Sequence, residues 1–204
     1  MFLKRGKIMK KLAILGSAES EVLEAILNYF KEKDVDITCI SNDEHSNFFK
    51  KAKDLCKNTK YLSAENMCEY FASHDIDLIA MCDFRGNLND DVLDSAKFIN
   101  IHPSLLPAFK GADAISRAFK SGVKVSGVTI YRVKQDIENA EIIAQYPVLI
   151  GNLTHFDEFK ESITELSAHL YPIVIEKILN DEVFDFSDLI GGCNSSCGGC
   201  GNCH

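Results

Sequence analysis

Apolar positions recur along this chain in two alternating rhythms. Residues 12–16 form a β-rich run ending in small residues, and Val22, Leu23, Ile26, Leu27 and Phe30 then return at helical spacing, with Ser17 or Ser20 as the cap. Residues 35–40 predict a second strand, and residues 43–56 a helix that turns Phe48, Phe49, Ala52 and Leu55 inward. A helix near 64–73 precedes a buried strand over 76–81, and residues 97–101 are another apolar run. Alternation of this kind requires right-handed crossovers and predicts a doubly wound α/β fold whose mostly parallel sheet is covered on both faces. Residues 125–133 and 142–149 then alternate on either side of a polar stretch, 134–141, which predicts antiparallel edge strands around a long loop. A last helix, 156–179, carries Phe159, Ile163, Leu166, Leu170, Ile173 and Val174, with Pro172 expected to kink it.

Composition narrows the class. With 204 residues, 46% hydrophobic and 25% charged, the chain can bury a full core as one domain. A net charge of −8, from 22 Lys+Arg against 30 Asp+Glu, argues against a nucleic-acid partner. No apolar run approaches the ~20 residues that a membrane helix needs, so no membrane partner is expected. Lys4, Arg5, Lys7, Lys10 and Lys11 ahead of residues 12–18 superficially resemble a secretion signal. The apolar core is too short for one, and the better reading is a first buried strand. Cys39, Cys56, Cys68 and Cys82 lie scattered, as reduced thiols do in a cytoplasmic protein.

In an open α/β sheet the ligand sits beyond the carboxyl ends of the strands, which places the segments after Gly16, Met81 and Ile101 on one rim. The last of these is the most informative: Asn100-Ile101-His102-Pro103-Ser104-Leu105-Leu106-Pro107, followed by Lys110-Gly111. An amide and an imidazole two residues apart on a strand project to the same face. A lone His is more often a core residue. Beside an amide at a rim, however, an imidazole can move protons near neutral pH while the amide stabilises a developing oxyanion. The pair suits acyl transfer.

This string resembles the Asn-x-His-Pro-Ser-Leu-Leu-Pro signature of the folate-dependent formyltransferases, nearest to those that act on glycinamide ribonucleotide. Residues 126–131 through 142–145 look like that family's second motif, and His169-Leu170-Tyr171-Pro172-Ile173-Val174 resembles its last helix. The resemblance covers residues 9–182. It implies a Rossmann-like enzyme that moves a formyl group from 10-formyltetrahydrofolate to a small-molecule primary amine, as a monomer or homodimer. Asn100 would polarise the formyl carbonyl, and His102 would assist the proton transfers. Glu138 stands where the family has the Asp of an Asp-x-Gly segment and would hold His102 or a relay water. On the folate side the resemblance implies Phe84, Arg85 and Leu88 on one wall and Lys134 and Asp136 on the other. On the acceptor side it implies Ser17, Ala18, Pro103 and Ser167.

Three positions depart from the pattern. Glu138 is one methylene longer than Asp and is followed by Asn139-Ala140 instead of glycine. The loop after the first strand reads Gly16-Ser17-Ala18-Glu19-Ser20-Glu21, and its two carboxylates repel a phosphate dianion where the family attracts one. In a first helical turn they also complement the helix dipole. Ser167 replaces the Glu that contacts the ribose. The formyl chemistry is therefore expected to be better kept than the acceptor. A sugar-nucleotide amine is an alternative acceptor, whereas methionyl-tRNA is disfavoured by the net charge and by a missing C-terminal domain.

Residues 183–204 read as a separate tail. Cys193, Cys197, Cys200 and Cys203 follow the spacing Cys-x3-Cys-x2-Cys-x2-Cys-His, with glycines between them. Four thiolates so close can hold a tetrahedral zinc or an iron–sulfur cluster. The absence of two separated ligand pairs leans the reading toward a cluster or redox site. A non-enzymatic alternative follows: a degenerate formyltransferase fold that senses folate, metal or redox state through this tail.

Overall fold

The computed structural model describes residues 9–18, 21–86, 88–134 and 141–185. Glu19, Asp136, Glu138 and the four cysteines of the tail lie outside the described residues. The described elements are, in chain order, β1 (Lys10–Gly16), α1 (Glu21–Phe30), β2 (Val35–Ser41), α2 (Asn47–Leu55), β3 (Asn58–Tyr61), α3 (Ala64–Ser73), β4 (Leu78–Cys82), α4 (Asp90–Ser95), β5 (Phe98–His102), α5 (Ala114–Lys120), β6 (Val125–Arg132), β7 (Glu141–Leu149) and α6 (Phe156–Leu179). The strands form one sheet in the order β3-β2-β1-β4-β5-β6-β7. Pairing is parallel from β3 to β5 and antiparallel for β5–β6 and β6–β7. This is the expected doubly wound sheet with two antiparallel edge strands.

Strand alternation divides the core. Leu12 and Ile14 of β1 and Leu78, Ala80 and Cys82 of β4 join one buried cluster with α1, α2 and α6. Ala13 and Leu15 of β1 and Ile79 and Met81 of β4 join the other, with Met67 and Phe71 of α3 and Val92 of α4. Both faces of the central strands are therefore buried, which is why these runs read as continuously apolar instead of alternating.

Three elements escaped the periodicity. β3 is a four-residue edge strand, Asn-Thr-Lys-Tyr, largely exposed and polar. That is how native sheets blunt an edge, and it erases the pattern. α4 and α5 span 6 and 7 residues, too short to repeat a helical face. α2 starts later than expected, at Asn47, because Ser46 caps it: the Ser46 Oγ accepts from the Phe49 N–H at 3.1 Å. α6 runs unbroken across Pro172. Its neighbour Tyr171 is fully buried, with its hydroxyl donating to the Met81 and Ile99 carbonyls at 3.1 and 3.0 Å. This ties α6 to β4 and β5 just below the rim that carries Asn100. Phe184, beyond α6, packs against the first core cluster. No described helix is long and apolar enough to cross a membrane.

Candidate active site

β5 changes character along its length. Phe98 and Ile99 are buried on opposite faces, and the strand then ends in Asn100-Ile101-His102. By alternation Asn100 and His102 share the face of Phe98. The antiparallel register sets Tyr131 opposite Asn100, Thr129 opposite His102, and Gln145 opposite Thr129. Cross-strand partners share a face. One end of the sheet thus carries a row of polar side chains from three strands.

Within that row Asn100 is fixed at both ends. Its Oδ1 accepts from the Ile101 N–H at 2.9 Å and its Nδ2 donates to the Tyr131 Oη at 3.0 Å. A primary amide carries two N–H hydrogens, and the second has no partner among the described residues. Tyr131 is buried, and burial pushes its phenol above the ordinary range while the bond from Asn100 opposes this. It remains a neutral acceptor near pH 7. Asn100 therefore presents one oriented, uncommitted donor.

His102 Nε2 lies 3.0 Å from the Phe109 carbonyl. A carbonyl only accepts, so Nε2 carries the proton, and in the neutral ring Nδ1 is the lone pair. No described residue bonds to Nδ1. Burial pushes the imidazole below its ordinary range; the Phe109 carbonyl opposes that, and the Arg117 charge adds to it. The ring is thus neutral at pH 7.

The loop between the pair and α5 is pinned from below by two residues that sequence reasoning did not single out as site residues. The Thr129 hydroxyl donates to the Ser104 carbonyl at 2.6 Å and accepts from the Leu106 N–H at 3.0 Å. Gln145 Nε2 donates to the Leu106 carbonyl at 2.8 Å and to Thr129 Oγ1 at 3.1 Å. Ser104, fully buried, donates to the Ala108 carbonyl at 2.6 Å. Leu106–Pro107 is a cis peptide. Replacing buried Thr129 by Val keeps the shape and removes the hydroxyl, leaving the Leu106 N–H and Ser104 carbonyl unpaired. The expected cost is about 1–3 kcal/mol, read as a lower denaturant midpoint at unchanged slope.

Ser17, Ala18 and Arg85 gather where strand order reverses, between β1 and β4, the usual crevice of such folds. Ser17 donates to Asn42 Oδ1 at 2.6 Å and accepts from the Arg85 N–H at 2.9 Å, while Asn42 Nδ2 donates to the Arg85 carbonyl at 3.1 Å. The Ala18 carbonyl accepts from the Phe48 N–H of α2 at 2.9 Å. Gly16 is required at this junction, since a Cβ there would lie 2.4 Å from the Phe48 ring. A cavity of about 420 Å³ opens here, lined by Ser17, Ala18, His45, Asn47, Asp83 and Arg85. Arg85 is exposed and pairs with Asp83 at 3.7 Å, whereas Phe84 and Leu88 pack against the second core cluster. Lys134 pairs with Glu141 at 3.4 Å. Pro103 is half-buried beside His102. Ser167 differs from its expected place in an acceptor site: it is buried, 6% exposed, and its hydroxyl donates back to the Ile163 carbonyl at 2.7 Å. Serine inside a helix often bonds one turn back in this way.

Known proteins resemble this chain in sequence and in fold. A phosphoribosylglycinamide formyltransferase of Bacillus subtilis is 30% identical over 186 residues, covering 84% of this chain and 95% of that protein. A methionyl-tRNA formyltransferase of Thermotoga neapolitana is 32% identical over 130 residues, which are 63% of this chain and 42% of that protein. The crystal structure of phosphoribosylglycinamide formyltransferase from Anaplasma phagocytophilum superposes with a TM-score of 0.77 at 28% identity, over 84% of this chain and 88% of that one. Residues 10–175 match the formyl transferase family over most of the chain, and the protein belongs to that family.

Proposed function

We propose that the protein transfers the formyl group of 10-formyltetrahydrofolate to the primary amine of glycinamide ribonucleotide, or of a relative with a changed acceptor group. One observation carries the reading: Asn100 holds a free, oriented N–H on the same strand face as a neutral His102 whose Nδ1 is unprotonated. Amine attack on a formamide carbon puts negative charge on the formyl oxygen, and the Asn100 donor stabilises it. The attacking nitrogen must lose a proton and the departing folate nitrogen must gain one. His102 Nδ1 accepts the first and returns it to the second. Glu138 orients His102 or a relay water in this scheme. Arg85, Phe84, Leu88, Lys134 and Asp136 bind the folate, and Ser17, Ala18 and Pro103 the acceptor. The reaction belongs to the cytoplasm, where Cys39, Cys56, Cys68 and Cys82 stay reduced.

Support for a changed acceptor comes from the first turn of α1, where Glu21 opens the helix. An anion there occupies the position at which a helix N-terminus would otherwise attract phosphate. The test is turnover of 10-formyltetrahydrofolate with glycinamide ribonucleotide and, in parallel, with a nucleotide-linked amino sugar, the formylated product being read by mass spectrometry. Product from glycinamide ribonucleotide supports the first acceptor. Product from the amino sugar alone moves the assignment to the second. No product from either removes both.

The tail is a second element of this reading, with residues 9–182 as the catalytic domain and residues 183–204 as an appended metal site. Its donor set fits a thiophilic metal: Cys193, Cys197, Cys200 and Cys203 are soft ligands of the kind that zinc and iron–sulfur clusters take. Isolation without air, followed by metal analysis and an absorption spectrum, tests it. Bound metal that is lost on removing residues 193–204 supports the site, and a metal-free full chain overturns it.

A further inference from the structure

One cation outside the signature converges on the carbonyl that fixes His102. Arg117, on α5, donates from Nη2 to the Phe109 carbonyl at 2.9 Å and to the Lys110 carbonyl, and from Nε to the Ala112 carbonyl at 3.1 Å. The same Phe109 oxygen accepts from His102 Nε2 at 3.0 Å. A carbonyl oxygen has two lone pairs, and here one serves the imidazole and the other the guanidinium.

The loop is wound to make this possible. Phe109, Gly111 and Asp113 have φ of 54°, 81° and 55°, so every second residue is left-handed. Such a conformation costs an L-residue roughly 1–2 kcal/mol and persists only where surrounding contacts impose it. Among the contacts that hold this loop are three carbonyls turned onto one side chain. A planar guanidinium with five donors in a fixed fork can serve all three, whereas an ammonium is a single point of charge. Around Gly111 the space for a Cβ is open, so the glycine answers to its φ alone.

We propose that Arg117 is a positioning residue for His102: by holding the Phe109 carbonyl it fixes the Nε2–H tautomer and so leaves Nδ1 as the base. The proposal rests on the formyl-transfer reading for the role of His102, although not for the geometry. Among the described residues, the groups around the ring leave Arg117 as the outstanding charge. Thr129 and Tyr131 on β6 and Asn100 on β5 are neutral, and Lys110 is an exposed cation beyond Phe109 in the loop. Asp136 and Glu138 lie outside the described residues. Burial and the Arg117 charge both disfavour a second proton on the ring.

The test compares Arg117→Met with Arg117→Lys in the full chain. Two readouts are taken: nitrogen NMR of the isotope-labelled histidine ring, assigned by its loss in His102→Ala, and the pH dependence of kcat. For Arg117→Met the His102 titration and the acid limb of kcat move together to higher pH. At neutral pH kcat falls about 10- to 100-fold, the scale of a small displacement at a reacting centre, with KM for 10-formyltetrahydrofolate little changed. Arg117→Lys keeps the charge without the fork, so the limb stays near its original pH while kcat falls and the ring shows mixed tautomers. An unmoved His102 titration in Arg117→Met overturns the proposal, whatever happens to the rate. Should that variant fail to fold, an unchanged Nε2–H ring in Arg117→Lys overturns it equally. The NMR readings stand without turnover, so failure of the formyl-transfer reading leaves a separate signature.

Discussion

Replacing Asn100 with Ala lowers kcat by about 10²- to 10³-fold, the usual loss when one preorganised oxyanion donor is removed. Among the described residues no substitute lies near it: the Tyr131 hydroxyl, freed of its partner, sits where it held the amide and not where the amide's second hydrogen lay. Asn100→Asp sharpens the expectation. It preserves the shape and the Oδ1 contact to the Ile101 N–H, yet replaces a donor with a group that is acceptor-only when ionised. Its rate falls at least as far as that of the Ala variant. Single-turnover kinetics at saturating folate check both, because a donor that acts only in the transition state lowers the chemical rate and leaves ground-state binding in place.

His102→Ala removes the proton-transfer group, and kcat falls by about 10²- to 10⁴-fold. The pH profile of the unmodified protein carries an independent sign. Protonation of His102 removes the Nδ1 lone pair, so activity is lost as pH falls through the pKa of the folded state. Burial first, with the Arg117 charge adding to it and the Phe109 carbonyl opposing, sets that pKa below the ordinary value. The acid limb that His102 contributes to kcat therefore lies below the ordinary histidine range. In His102→Ala the residual rate shows no limb in that range. A limb above the ordinary histidine value would mean that an anion, not burial, dominates the ring's surroundings.

Much of this was legible in the sequence. The buried strands announced themselves as apolar runs, and the pairing of Asn100 with His102 on one face followed from strand alternation alone. Tyr131 and Thr129 fall at alternate positions of β6, in phase with β5, so their place beside the pair was implicit once the register was known. The register was not readable, because it depends on the long connection through α5. Arg117 was hidden for a different reason. Its partners are backbone carbonyls, which no residue type betrays, and they converge only through the left-handed residues Phe109, Gly111 and Asp113. Ser167 stands where the resemblance places an acidic residue, and its short hydroxyl bonds to its own helix, a backbone partner that the sequence does not reveal. β3, α4 and α5 were missed because short or polar elements repeat no periodic face.

The fold separates two tasks along its length. β1, β2 and β4 end in loops stitched together by Ser17, Asn42 and the Arg85 backbone, a rim that shapes binding. At the end of β5, Asn100 and His102 meet Tyr131 and Thr129 of β6 and Gln145 of β7 in the polar row proposed as the reacting centre. In the sequence the chain departs from the family pattern in the loop after β1 and at Glu138 and Ser167, while Asn100 and His102 are kept.

The most direct test of the account is release of tetrahydrofolate from 10-formyltetrahydrofolate by the full chain, purified without air, with glycinamide ribonucleotide as acceptor and His102→Ala beside it. The account predicts turnover by the unmodified protein that collapses in the variant. Equal turnover in both, or none in either across the nucleotide and amino-sugar acceptors, would contradict it.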